Sequence, residues 1–469
     1  MEEIQIIQGG MGIGVSDWRL ARAVALQGQL GVVSGTALDN VCARRLQLGD
    51  PGGHVRRALQ HFPFGNIATR ILERYFIEGG KAESTPFANV PLYTIDPSPE
   101  LIELTIAANF AEVYLAREGH GGQVGINYLE KIQLPTLASL YGALLAKVDC
   151  ILMGAGIPRE IPGILDRLAR GEDAELKLNI ENGDEIPLRF DPSSISDEVP
   201  TLKRPSFLAI VSSSTLAQAL LKRATGEITG FVIESSTAGG HNAPPRGKLQ
   251  LNNQGEPIYG TRDEVDLAKI AALGKPFWIA GSVGRPDRLR QVQALGATGI
   301  QVGTAFAFCR ESGLENALKV RTLQQLRKGR VKVYTDPQAS PTGFPFKVIQ
   351  LANTLAEPAI YTDRPRTCNL GYLRTAYRLD DGRIGYRCAS ESPASYVKKG
   401  GDLEKTEGRK CLCNALLANI GLPQRRAGGY IEQPLLTAGD DLAAVTELLA
   451  EGQESYSAAD VIQYLLSIP

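Results

Sequence analysis

Residues 277–306 read FWIAGSVGRPDRLRQVQALGATGIQVGTAF. A short apolar run, 277–280, breaks at Gly281-Ser282-Val283-Gly284. A stretch of helical spacing follows over 287–295, and a second apolar run, 300–302, ends at Gly303-Thr304. This is one strand–helix–strand unit, and its repetition signals a parallel sheet. Toward the N-terminus the unit recurs. Residues 207–211 lead into a helix at 216–223, and 231–234 are followed by one at 265–273. The chain opens with a strand at 4–8, a helix at 17–26 with Ser16 as its cap, and a strand at 30–34. A third strand falls at 124–128, with 112–116 as its rival, before a helix at 134–147 and a strand at 150–153. Eight strands with helices between them fit a closed barrel better than an open doubly wound sheet. The dinucleotide fingerprint G-x-G-x-x-G is also missing after the first strand. The expected fold is α/β, a (β/α)8 TIM barrel with insertions and a mainly helical C-terminal extension.

The barrel is expected to occupy residues 1–310, with insertions near 50–110 and 172–200. The second insertion is a hairpin of 176–180 and 186–190 around the turn pair Asn182-Gly183. Residues 311–469, with helices at 314–326, 412–420 and 442–449, are expected to form an extension packed on the barrel. The 469 residues carry 43% hydrophobic and 22% charged side chains and a formal net charge of −1, so neither nucleic acid nor an anionic membrane is an expected partner. No apolar run is long enough for a membrane span, and the acidic start MEEIQ argues against a signal peptide. Seven scattered cysteines fit free thiols in a reducing, cytoplasmic setting.

Active sites of such barrels lie at the C-terminal ends of the strands. There the chain places Gly9, Gly10, Met11 and Gly12 after strand one, Asn127 on strand three, and Gly154-Ala155-Gly156 after strand four. Strand six ends in Ala238-Gly239-Gly240-His241. Glycines let backbone amides approach a ligand, and a histidine beyond them can exchange a proton near neutral pH. The loops after strands seven and eight are the usual phosphate site of this fold. Amides of Gly281, Ser282, Val283 and Gly284 at a helix start, with Gly303 and Thr304, would meet an anion there. One phosphate site on an amide-rich floor, with no arginine cluster for a second phosphate, suggests a mononucleotide such as FMN.

QGGMG (8–12), AGGH (238–241), AGSVG (280–284) and QVGTAF (301–306) resemble, in order, the marks of the nitronate monooxygenase family, also called 2-nitropropane dioxygenases. Segments 119–166 and 236–247 resemble the branch holding trans-acting enoyl reductases of polyunsaturated-fatty-acid and polyketide synthases. GRKCLCNALLANIGL and PLLTAGDDL, near the end, resemble free-standing bacterial members. The resemblance implies an FMN-binding barrel with the phosphate on Gly281, Ser282, Val283, Gly284, Gly303 and Thr304. It sets Gly9, Gly10, Met11, Gly12 and Asn127 along the isoalloxazine and ribityl, and Gly239, Gly240 and the catalytic candidate His241 beside the reactive face. The family's AGGI is AGSV here, which leaves the amide of Ser282 in place and adds a hydroxyl.

Two reactions follow from the resemblance. One is oxidation of alkyl nitronates with O2, with His241 binding the anion or generating it. The other is NAD(P)H-dependent reduction of an enoyl thioester, with an acyl carrier protein as a possible partner. A third reading is a barrel that binds flavin or an acyl chain without turnover. Among other candidates, His120 precedes strand three and could line the mouth, though a lone loop histidine reads better as a surface residue or one behind the site. Cys368, Cys388, Cys411 and Cys413 lack the paired C-x-x-C of structural zinc and read as free thiols, so no metal site is expected. The basic groups at 327–332, 364–366 and 398–399 read as solvated faces.

Overall fold

Side chains alternate along eight short parallel strands: β1 (Ile6–Gln8), β2 (Leu30–Ser34), β3 (Val124–Leu129), β4 (Cys150–Gly154), β5 (Ser206–Val211), β6 (Gly230–Glu234), β7 (Phe277–Ala280) and β8 (Gly299–Val302). The computed structural model describes residues 3–181, 183–449 and 453–467. Each strand pairs with its neighbours in sequence order, and β1 closes on β8 with Ile6 opposite Ile300 and Gln8 opposite Val302. One parity of each strand points inward: Ile7, Val32, Leu152, Leu208, Val232 and Trp278 fill the lumen. The other parity, including Ile6, Val33, Ile126, Phe207, Phe231 and Ile300, packs outward under the helices. The lumen is therefore a solid apolar plug, as such barrels require. Trp278 fits in it because its indole N–H donates to the Ile4 carbonyl at 2.8 Å.

The helices expected between strands form, with their ends shifted by a few residues. Two readings change. Residues 112–116 are not a strand but the end of the helix Pro99–Arg117. That helix buries residues on nearly all sides, so it shows no amphipathic period. Ser16 is not the helix cap: Asp17 accepts from the amides of Arg19 and Leu20, while Ser16 Oγ accepts from Met11 N–H at 2.7 Å. Arg45 lies between Glu112 (2.7 Å) and Asp17 (3.3 Å), tying the long helix to the first strand–helix unit. Both carboxylates are buried, and since Asp17 also pairs with Arg19 at 2.8 Å, losing Arg45 would leave Glu112 as the buried charge without a cation.

Between β4 and β5 stands the antiparallel hairpin Ala174–Asn179 with Glu185–Phe190. Its expected turn residue Asn182 lies outside the described residues. Beyond β8 come the helices Asn316–Arg327, Leu412–Ala418, Ala443–Leu448 and Ala458–Leu466, together with two antiparallel hairpins, Val333–Asp336 with Phe346–Ile349 and Thr375–Arg378 with Ile384–Arg387. Arg364, read as part of a solvated face, is instead buried in an ion pair with Glu432 at 2.9 Å. Arg366 donates to the carbonyls of Ala389, Ser390 and Thr406. These arginines hold the extension's own loops together. Among the described residues no helix is long and apolar enough to cross a membrane.

Gly31 on β2 lies against the helix Trp18–Ala25 so closely that a Cβ would overlap the Ala21 carbonyl oxygen. Backbone cannot swing aside as a side chain can. Gly31→Ala is therefore expected to destabilise the fold by about 2–3 kcal/mol. Urea unfolding should show a lower midpoint at unchanged slope, and an unchanged midpoint would contradict this packing.

Candidate active site

At the C-terminal ends of the strands lies a cavity of about 250 Å³. The residues singled out in the strand-end loops line it, namely 9–12, Asn127, Gly154, Ala155, 238–241, 281–284, Gly303 and Thr304, with the exception of Gly156, which lies against Glu130 instead. They are scattered over nearly 300 positions of sequence, and the barrel rim brings them together.

On the β7 and β8 side the cavity is lined with backbone donors. Gly281 has φ 100°, and a Cβ there would overlap Ser235 Oγ. Ser282 has φ 52°, a left-handed conformation that favours glycine. Holding a non-glycine residue there costs of order 1 kcal/mol. Among the described residues, the N–H groups of Ser282, Val283 and Gly284 find no acceptor within the protein. They precede the helix Pro286–Ala294, whose positive end adds to their field. Thr304 was expected to donate through its hydroxyl, and its Oγ1 also accepts from Gly439 N–H at 2.9 Å. The hydroxyl proton remains free to donate outward.

The floor follows from strand alternation. Above the apolar plug, the inward positions are Ser34 on β2, Asn127 on β3, Glu234 on β6 and Gln301 on β8, all lining the cavity. Asn127 Oδ1 and Gln301 Oε1 are buried with no hydrogen-bond partner among the described residues. Gly10 must be glycine here, since a Cβ would overlap the Asn127 side chain. The Glu234 carboxyl makes no hydrogen bond among the described residues, and burial pushes it up to about 7. The strand assignment made this residue findable from sequence, because it follows the inward Val232 by two. The glycine turn beyond it drew attention away.

His241 is held by the C-terminal extension. The strand Phe346–Ile349 runs antiparallel to its loop: Lys347 N–H donates to the Gly240 carbonyl and Asn242 N–H to the Pro345 carbonyl, each at 2.9 Å. The Phe346 ring meets the imidazole edge-to-face at 4.9 Å. His241 Nε2 lies 2.7 Å from Ser340 Oγ, itself hydrogen-bonded to Thr342 Oγ1 at 2.8 Å. Burial, and secondarily the charge of Lys131, lower the imidazole to about 4, so the ring is neutral at pH 7. The Lys131 ammonium sits 3.1 Å from the centre of the Phe344 ring, and burial lowers it to about 8.

A second piece of the extension closes the β6–β8 side. Gly240 N–H donates to Thr437 Oγ1 at 2.8 Å and Asp440 N–H to the Thr237 carbonyl at 3.0 Å. The buried Lys347 pairs with Asp440 at 2.7 Å and locks the two pieces together. Leu373, Leu412 and Leu416 of the extension line the cavity with Ile13, Leu129 and Ile132, forming one apolar wall. Ser340 carries no mark in the sequence because a lone serine far from any strand end has none, and Thr437 and Gly439 lie in the stretch PLLTAGDDL, whose resemblance gave them no role in the site. His120 does not line the mouth. It lies at the N-terminal side of β3, where Nε2 is 2.7 Å from the Ala116 carbonyl at the end of the helix Pro99–Arg117. All seven cysteines are free thiols. Cys413 lines the cavity.

No protein-family profile matches the chain. Over 128 residues, 27% of this chain and 35% of the relative, it is 33% identical to a probable nitronate monooxygenase of Bacillus subtilis (strain 168). The match thus spans about a third of the length of the curated relatives. Among solved structures, FabK from Thermotoga maritima has a TM-score of 0.47 at 15% identity over 99% of this chain and 92% of its own. Nitroalkane oxidase from Streptomyces ansochromogenes has a TM-score of 0.48 at 16% identity over 98% and 94%. Likeness of that degree says nothing of chemistry. In the aligned part, the chain is similar in sequence to nitronate monooxygenases, as its motifs imply.

Proposed function

We propose that the cavity binds FMN and that the chain is an FMN-dependent oxidoreductase oxidising alkyl nitronates with O2. The observation that carries this reading is one cavity combining unpaired amides at a helix start, a floor of unpaired polar side chains and a neutral histidine at its edge. The residues present fit the cofactor. The amides of Ser282, Val283 and Gly284 and the Thr304 hydroxyl would hold the phosphate. Asn127 and Gln301, whose buried oxygens lack partners among the described residues, would meet polar ring atoms, and Gly10 leaves room for a flat ring above them. In this reading residues 1–310 carry the cofactor and 311–469 roof the site.

Bound FMN supplies an electron acceptor that a nitronate can reduce and O2 can reoxidise. The protein's own part is to bind and orient the substrate. An imidazole lowered to about 4 is a weak base, so His241 suits hydrogen bonding to a substrate anion better than removal of a carbon-bound proton at pH 7. Ser340 fixes the ring through Nε2, leaving Nδ1 as the second polar atom. An anionic substrate beside the imidazole would raise its affinity for a proton, strengthening their contact. Lys131, near enough to act on His241 electrostatically, adds positive field at the mouth.

One observation favours a second reaction on the same framework. The wall of Leu373, Leu412 and Leu416 with Ile13, Leu129 and Ile132 suits a longer apolar chain than a small nitronate carries. An enoyl thioester, free or on an acyl carrier protein, would use that wall, with NAD(P)H as electron donor.

Anaerobic mixing separates the two. FMN is expected to copurify with the protein, and its visible absorbance to bleach with propyl nitronate but not with NADPH. Bleaching by NADPH with reoxidation by an enoyl thioester would replace the first reaction by the second. Failure of flavin to bind would end both. His241→Ala should keep the flavin and lower kcat/KM for the substrate by about 10²-fold. Ser340→Ala should lower it by about tenfold, with Ser340→Thr restoring it, because the hydroxyl acts only through the ring.

A further inference from the structure

We infer that Glu234 is a ligand-binding residue of the cavity floor, whose protonated carboxyl recognises the polar edge of a heteroaromatic ring carrying amide or imide groups. The inference rests on the flavin reading above and adds to it a residue and a protonation state.

Geometry comes first. Glu234 ends β6, two residues beyond the inward-facing Val232, and lines the cavity together with Asn127 and Gln301. Below it the lumen is apolar, with Leu208, Val232 and Trp278 all fully buried. Beside it stand Ile210 of β5 and Ala280 of β7. Among the described residues, Asn127 and Gln301 each keep a buried oxygen without a partner, and the Glu234 carboxyl has no hydrogen bond. Three unpaired polar groups in one ring above a dry core are costly unless a ligand pairs them.

The charge state follows from the surroundings. The titratable groups around the cavity are His241 after β6, Glu130 and Lys131 after β3, and Tyr372, Cys413 and Asp441 of the extension. None of them contributes to the Glu234 shift, which comes from burial alone. An acid without a counter-cation keeps its proton when water is withdrawn. Protonated, it donates one hydrogen bond and accepts others, whereas a carboxylate only accepts. With the side-chain amides of Asn127 and Gln301 lining the same cavity from other strands, it adds a donor to a polar floor that can meet ring nitrogens and carbonyl oxygens. A phosphate or an aliphatic carboxylate would gain nothing from this floor. The anion donors lie instead at residues 282–284 and Thr304.

The test is fluorescence titration of flavin-free protein between pH 6 and 8.5. Riboflavin is the main probe, because the FMN phosphate itself titrates near pH 6. The wild-type Kd for riboflavin should rise roughly tenfold per pH unit above about 7 as the acid ionises. Glu234→Gln, which keeps a neutral donor, should bind within about threefold of the low-pH wild type and lose that slope. The difference between the two proteins removes any part due to Lys131, which is also lowered into this range, to about 8. Calorimetry of the wild type at pH 8 in two buffers should show uptake of close to one proton per riboflavin, independent of any variant. A flat wild-type profile, a slope retained in Glu234→Gln, or no proton uptake would overturn this inference while leaving the flavin reading intact. Failure of both riboflavin and FMN to bind at any pH would overturn the flavin reading and this inference together.

Discussion

Hydrogen bonding of β1 to β8 closes the sheet, and the site above depends on that closure. An open sheet would leave two edges to be covered and would spread its strand ends along a line. Closure folds that line into a ring, so that residues from position 9 to position 304 face one space. It also fixes parity. With side chains alternating at each step, a one-residue slip of β6 would turn Val232 and Glu234 outward and bring Ile233 into the lumen. The apolar plug of Val32, Leu152, Leu208 and Trp278 holds the register, and the polar floor is the next layer up. Packing below and chemistry above are two levels of one pattern.

The extension does a different job. Its strand Phe346–Ile349 and its segment around Thr437 dock on the same short loop, with Gly240 contributing both its N–H and its carbonyl. The mobility that a Gly-Gly turn would have alone is thereby removed, and His241 acquires a fixed partner in Ser340. The same contacts withhold water from the ring, which is why its basicity falls. Orientation and proton affinity of one side chain are thus set by residues about a hundred positions away.

Strand positions were legible because short apolar runs ending in glycine have few other readings in an alternating chain. β2 and β7 fall where the sequence put them, and the remaining strands differ at their ends by a residue or two. The glycine loops and His241 were legible for the same reason. Where the reading failed, the missing signal is physical. The helix Pro99–Arg117 is buried on almost every side and has lost the period by which helices are recognised. Arg364 looked like surface charge because its partner Glu432 is remote in sequence, and burial of an ion pair leaves no local trace. Ser340 and Thr437 are ordinary hydroxyl residues whose importance comes only from the contacts they make.

The bond from Gly240 to Thr437 joins residues 197 apart in sequence. Contacts of that span form late, since the intervening chain must already be ordered before they repay the entropy of closing the loop. The seat of His241 is therefore complete only once the C-terminal third of the chain has folded onto the barrel. A part of the chain that carries no barrel strand thus decides how firmly the barrel's own Gly-Gly turn is held.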